Sequence, residues 1–236
     1  LGDVYKRQPR NVRICFYYYE LQLNHSLLIS FTAIEGTRLK TRYLATMPTI
    51  PFALNECRVI AGMMLEGMDR KKIKDAIHQD NLLNSSSASS EKKIFDYTYN
   101  RLKDYPDELK SYILSDELSD ARMANLVSIM QYDALFREFV FEVYASCRQR
   151  FNPITDYDIM TFFEEKAKNS ETIANWKHVT IFKLRRLYTR ILYEAGFLKT
   201  SAGSREITTP YVSRNLIDLL VDLGYEEYVY ATLGRL

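Results

Sequence analysis

From Phe52 to Leu236 apolar side chains return every third or fourth residue, and little interrupts them. The whole chain of 236 residues holds only eight Gly and six Pro. Few turns can be built from so little punctuation, so a sandwich or barrel with a turn every ten residues is disfavoured. Folds that need glycine-rich phosphate loops are disfavoured for the same reason. The pattern predicts an all-α protein of many helices.

The helices can be placed from their ends. Pro48 and Pro51 lead into a mostly apolar helix from Leu54 that stops at Gly67. Asp69 is expected to cap the next, which runs to about Gln79. A serine-rich start at Ser85–Ser90 precedes a helix carrying Ile94, Phe95, Tyr99 and Leu102. Pro106-Asp107-Glu108 opens another, since proline and acids both suit a helix N-terminus. Ser119 is expected to cap the next. Leu135 to Phe151 is apolar enough to be central, and Asn152-Pro153 stops it.

Thr155 is expected to cap a helix bearing Ile159, Phe162 and Phe163. A short segment from Ser170 to Trp176 follows, then a long helix from His178 to Ala195 that stops at Gly196. Two β-prone pieces, Phe197–Thr200 and Arg205–Thr209, flank the small residues 201–204 and predict a hairpin. Two last helices break at Gly224. Three regions are expected: an irregular segment at 1–40, a helical subdomain at 41–152 and a winged-helix-like subdomain at 153–236. The opening Leu1-Gly2-Asp3-Val4-Tyr5 resembles translated adapter sequence, and residues 1–40 enter no functional argument.

Charge is balanced overall and segregated locally. Thirty-two Lys and Arg face thirty Asp and Glu, a net of +2, which excludes a uniformly basic coat but not a basic face. Between Lys177 and Arg205 stand Lys177, Lys183, Arg185, Arg186, Arg190, Lys199 and Arg205 against one acid, Glu194. Between Asp104 and Asp120 stand six acids and one Lys.

Helix, short helix, long helix and hairpin is the order of a winged helix-turn-helix, whose third helix enters a DNA groove while the hairpin reaches adjacent backbone. At about 100° per residue, Leu184, Leu187, Tyr188, Ile191 and Ala195 share the core face of the long helix. Lys183, Arg186 and Arg190 lie within roughly 60° of one another on the far side. A cationic face of this kind suits phosphates and predicts steep salt dependence. The competing reading is an ordinary solvated face.

A second candidate is the pair Asp69–Gln79 and Ser87–Leu102, with Ser89, Ser90, Lys92 and Lys93 at the start of its second helix. Helix N–H groups, hydroxyls and lysines together suit a phosphate oxygen. Glu91, Asp96 and Asp104 dilute that charge, which favours a plain helical hairpin. The acidic stretch and eighteen tyrosines also leave open a protein-docking scaffold.

Catalytic signatures are missing. His25, His78 and His178 have no second ligand at zinc spacing, and no phosphate-binding glycine motif occurs. Asp156, Asp158, Glu164 and Glu165 read as a solvated helix face rather than a two-metal cluster. No cofactor or metal is expected. Cys15, Cys57 and Cys147 lie far apart and read as idle thiols of a reducing compartment. The longest uncharged run, Leu21 to Ile34, is too short and polar to span a bilayer, so the protein is expected to be soluble and cytoplasmic.

An ordered series of packing and turn residues carries a family likeness. It comprises Leu54-Asn55-Glu56-Cys57-Arg58-Val59-Ile60-Ala61, Leu65-Glu66-Gly67, Asn81-Leu82-Leu83, Ile154-Thr155-Asp156, Phe162-Phe163-Glu164-Glu165-Lys166 and Leu192-Tyr193-Glu194-Ala195-Gly196-Phe197-Leu198. From about Thr41 to Leu236 the chain resembles the BrxA family, the small A component of BREX bacteriophage-exclusion systems. The resemblance implies a helical, non-enzymatic protein that binds double-stranded DNA and is similar to NusB-type and helix-turn-helix folds. It implies action in phage defence beside a DNA methyltransferase and other BREX components, and it offers no catalytic residues. RNA binding of the NusB kind stays open.

Overall fold

A computed structural model describes Tyr43 and residues 52–236. The expectations placed on residues 1–40, Cys15 and His25 among them, lie outside the described residues. Lys40–Leu236 forms one compact unit. Its described helices are α1 (Leu54–Leu65), α2 (Arg70–Asp80), α3 (Ala88–Leu102), α4 (Asp107–Ile113), α5 (Leu118–Tyr132), α6 (Ala134–Phe139), a π-helical turn (Val140–Tyr144), α7 (Ala145–Gln149), α8 (Asp156–Asn169), α9 (Glu171–Ala174), α10 (His178–Glu194), α11 (Arg214–Asp222) and α12 (Glu226–Leu233).

Short polar side chains start several of these helices. The Asp69 carboxylate accepts from the Lys71 and Lys72 backbone N–H groups, both at 2.9 Å. Thr155 and Asp158 close a reciprocal capping box at the start of α8. Ser119 is not a cap: α5 begins two residues earlier than such a cap implies, at Leu118, with Glu117 in the capping position. The backbone N–H of Glu117 is satisfied instead by the Ser115 hydroxyl at 3.1 Å.

The stretch from Ala134 to Gln149 is central, as its composition predicts. Its middle widens into the π turn, and Phe139, Val140, Val143 and Tyr144 are all buried there. The wider turn lets neighbouring apolar residues face the core on several sides, which a regular helix cannot do. It packs against α8 and α12. The core runs continuously past Asn152-Pro153. Tyr188 of α10 lies edge-on to Phe136 at 5.2 Å and stacked on Phe163 at 5.9 Å.

The predicted hairpin is reduced to backbone bridges, and no strand forms among the described residues. Leu198 pairs antiparallel with Ile207, and Ile154 with Arg205. The Lys199 N–H donates to the Glu206 carbonyl at 2.9 Å, and the Thr208 N–H to the Phe197 carbonyl at 3.0 Å. Gly196, at φ +87°, makes the tight exit from α10 that brings Phe197 back over the core. Thr189, buried in α10, donates its hydroxyl to the Ser201 carbonyl at 3.0 Å and holds the tip of the hairpin against the helix.

Candidate nucleic-acid interface

Helix α10 is amphipathic in the expected sense. Leu184, Tyr188, Ile191 and Leu192 are buried, while Lys183, Arg186 and Arg190 are exposed on the opposite side. Cations that sequence groups together are nevertheless held in different ways.

Arg205 points inward. It is 8% exposed, and its guanidinium donates to Asp156 Oδ1 at 2.9 Å and to the Gly203 carbonyl at 3.2 Å. Arg185 reaches the same carboxylate oxygen at 3.6 Å. Both were candidates for phosphate contact, and both spend their charge tying the long helix and hairpin to the first turn of α8. Arg190 pairs with Glu194 at 2.6 Å, one turn further along the same helix. Lys199 bridges the hairpin to Glu206, and that hydrogen bond holds the Glu206 carboxyl below its usual range.

Lys177, Lys183 and Arg186 remain exposed and make no ion pair with any described carboxylate. Lys177 is the N-cap residue of α10, and Lys183 and Arg186 follow on the helix, together with two apolar residues that periodicity alone leaves unremarked: Val179, 61% exposed, and Phe182, 49% exposed. The Arg186 guanidinium stands 6.0 Å from the Phe182 ring centroid. Val179, Phe182, Lys183, Arg186, Arg190 and Tyr193 share an arc of about 100° directed away from the core.

The second candidate lies apart from this face. Lys92 and Lys93 are exposed on α3, which packs with α1, α2 and α5. Ser87 caps α3 by accepting from the Ser90 N–H, and His78 faces Glu91 across the α2–α3 groove at 3.0 Å. These contacts give Ser87 and His78 ordinary structural work.

Three of the four candidate carboxylates of α8 have partners, and Glu164 is exposed. Asp156 holds arginines, Asp158 completes the cap, and Glu165 pairs with Lys168 at 2.7 Å. Among the described residues no three His, Cys, Asp or Glu side chains converge as a metal site would require. No described helix is long and apolar enough to cross a membrane.

The BrxA family profile matches residues 41–224. The chain belongs to the BrxA family. A relative from Bacillus cereus (strain H3081.97), named BREX protein BrxA, is 31% identical over 197 residues, covering 82% of this chain and 97% of its own. Another of the same name, from Paramagnetospirillum magneticum (strain ATCC 700264 / AMB-1), is 26% identical over 189 residues, covering 80% of this chain and 94% of its own. The fold is shared with the crystal structure of an uncharacterized protein from Magnetospirillum magneticum, at a TM-score of 0.66 and 23% identity, over 77% of this chain and 93% of that one. The family match begins at residue 41, so residues 1–40 lie outside it.

Proposed function

We propose that this protein is a cytoplasmic, non-enzymatic accessory component of a BREX phage-defence system that binds double-stranded DNA, with α10 and the hairpin acting as a winged helix-turn-helix. The relatives named BREX protein BrxA support the defence role. The observation that carries the DNA reading is the pair of unpaired cations Lys183 and Arg186 on the side of α10 opposite the leucines that seat it in the core, with Lys177 exposed at the helix N-cap. Each cation that neutralises a phosphate releases counterions. These three alone give log K against log salt a slope on the order of −3.

A mobility-shift titration of duplex DNA across salt tests this. Exchanging Lys177, Lys183 and Arg186 together for Glu should abolish binding with helicity unchanged. Wild-type protein that leaves duplex unshifted at about 50 mM salt, or that binds without salt dependence, overturns the reading. Competition with structured RNA decides between duplex DNA and a NusB-like RNA partner.

A second reading has its own observation. Asp104, Asp107, Glu108, Asp116 and Glu117 are exposed around α4 and the start of α5, beside the exposed Leu114 and Leu118. This is a surface for docking other BREX components. A pull-down of such components that survives the triple Glu exchange supports it alongside DNA binding.

A further inference from the structure

We infer that Val179 and Phe182 read thymine methyl groups in the major groove. This rests on the DNA-binding reading above and adds to it a base preference that a cationic face cannot supply.

Both side chains project from the N-terminal half of α10, the half that a helix-turn-helix presents to base edges. They lie among charges. Val179 falls between Lys183 and Arg186 on the exposed arc of α10, and Phe182 lies at its edge, one turn before Arg186. Lys183 and Arg186 reach phosphates beside the groove while the two apolar side chains face the base pairs.

Phosphate contacts have no use for apolar surface. An aliphatic and an aromatic side chain left exposed on a cationic face need a partner that is both anionic and apolar at its centre. In the major groove duplex DNA offers that combination at the C5-methyl of thymine, between two phosphate rails. The Arg186 guanidinium stands 6.0 Å from the Phe182 ring centroid, which places charge and apolar surface side by side on the helix. Neither apolar residue carries hydrogen-bonding groups, so the readout is a count of methyls rather than a fixed base sequence.

The test uses the full chain and two duplexes of identical A·T-rich sequence, one containing thymine and the other deoxyuridine. The exchange removes the methyl groups and leaves charge and base-edge hydrogen bonding in place. Wild-type protein should bind the thymine duplex about fourfold tighter for each methyl contacted. The Val179→Ala/Phe182→Ala double variant should bind both duplexes alike, with the wild-type salt slope. Both positions are exposed, so the variant is expected to fold, and circular dichroism checks that it does. Equal, salt-dependent binding of the two duplexes by wild-type protein overturns the inference and leaves DNA binding standing. No binding to either duplex overturns the DNA reading and the inference with it.

Discussion

Arg205 and Asp156, separated by 49 residues, meet at 2.9 Å, and their ion pair fastens the hairpin to the first turn of α8. The arginine is buried and the carboxylate largely exposed, so the contact lies at the edge of the core. Because Arg185 shares the same oxygen, one carboxylate links the start of α8 to both the long helix α10 and the hairpin.

Removing that carboxylate has two consequences. Asp156→Ala leaves the buried Arg205 guanidinium with carbonyl acceptors only, which should cost about 2 kcal/mol in urea denaturation. It also releases Arg185 toward solvent. If duplex binding survives, its salt slope should become steeper than that of the wild-type protein.

A buried acid predicts a pH dependence of stability. Asp133 caps α6 through backbone N–H groups of Leu135 and Phe136 at 3.0 and 3.2 Å, yet its second oxygen is buried with no hydrogen-bond partner. Burial pushes its pKa up to about 6. The folded state therefore holds the proton more tightly than the unfolded chain, whose carboxyl titrates near 3.9. This contribution to stability is complete below about pH 4 and is lost as pH rises through about 6, by roughly 3 kcal/mol. Asp133→Asn keeps the capping oxygen and cannot ionise, so its denaturation midpoint should vary less between pH 4 and 6.

The interior of the helical part contains a polar knot. Arg101 donates to Asn125 Oδ1 at 2.8 Å, Asn125 donates to the Phe52 carbonyl at 2.7 Å, and Cys57 Sγ and the Tyr97 hydroxyl lie against the same guanidinium. Asn125→Ala strips an acceptor from a buried cation and a donor from a buried carbonyl. A loss of about 1–3 kcal/mol is expected, measured by chemical denaturation.

Phe151 ends α7 in the conformation that glycine usually takes. Its φ is +55°, the Asn152 N–H closes back to the Cys147 carbonyl at 3.0 Å, and its ring is 96% exposed. Phe151→Gly gives up almost no buried surface and removes a left-handed strain of about 1 kcal/mol, so thermal stability should rise by that order. An unchanged or lower melting temperature would contradict this account of the helix end.

Local physics was written plainly in the chain. Asp69, Thr155, Gly67 and Gly196 start or stop helices through their own atoms and immediate neighbours, so their roles could be read without a fold. The start of α5 lies ahead of Ser119, at Leu118, with no side chain capping it, so a search for a capping residue misses it. The π turn at Val140–Tyr144 gave no periodic signal of its own, since a run that is apolar on every side fits several helical pitches. Lys183 and Arg186 were found from their angular position alone. The inward turn of Arg205 and Arg185 could not be found that way, because nothing near them in sequence names Asp156.

The chain by itself determined that the fold is helical, where most helices begin and end, and which side of α10 faces the core. Those follow from spacing and from hydrogen bonds that span a few residues. Only the tertiary structure decided which cations are free. Whether an arginine is spent on a carboxylate depends on which distant side chain folding brings within 4 Å of it, and that is a property of the packed core, not of the local sequence.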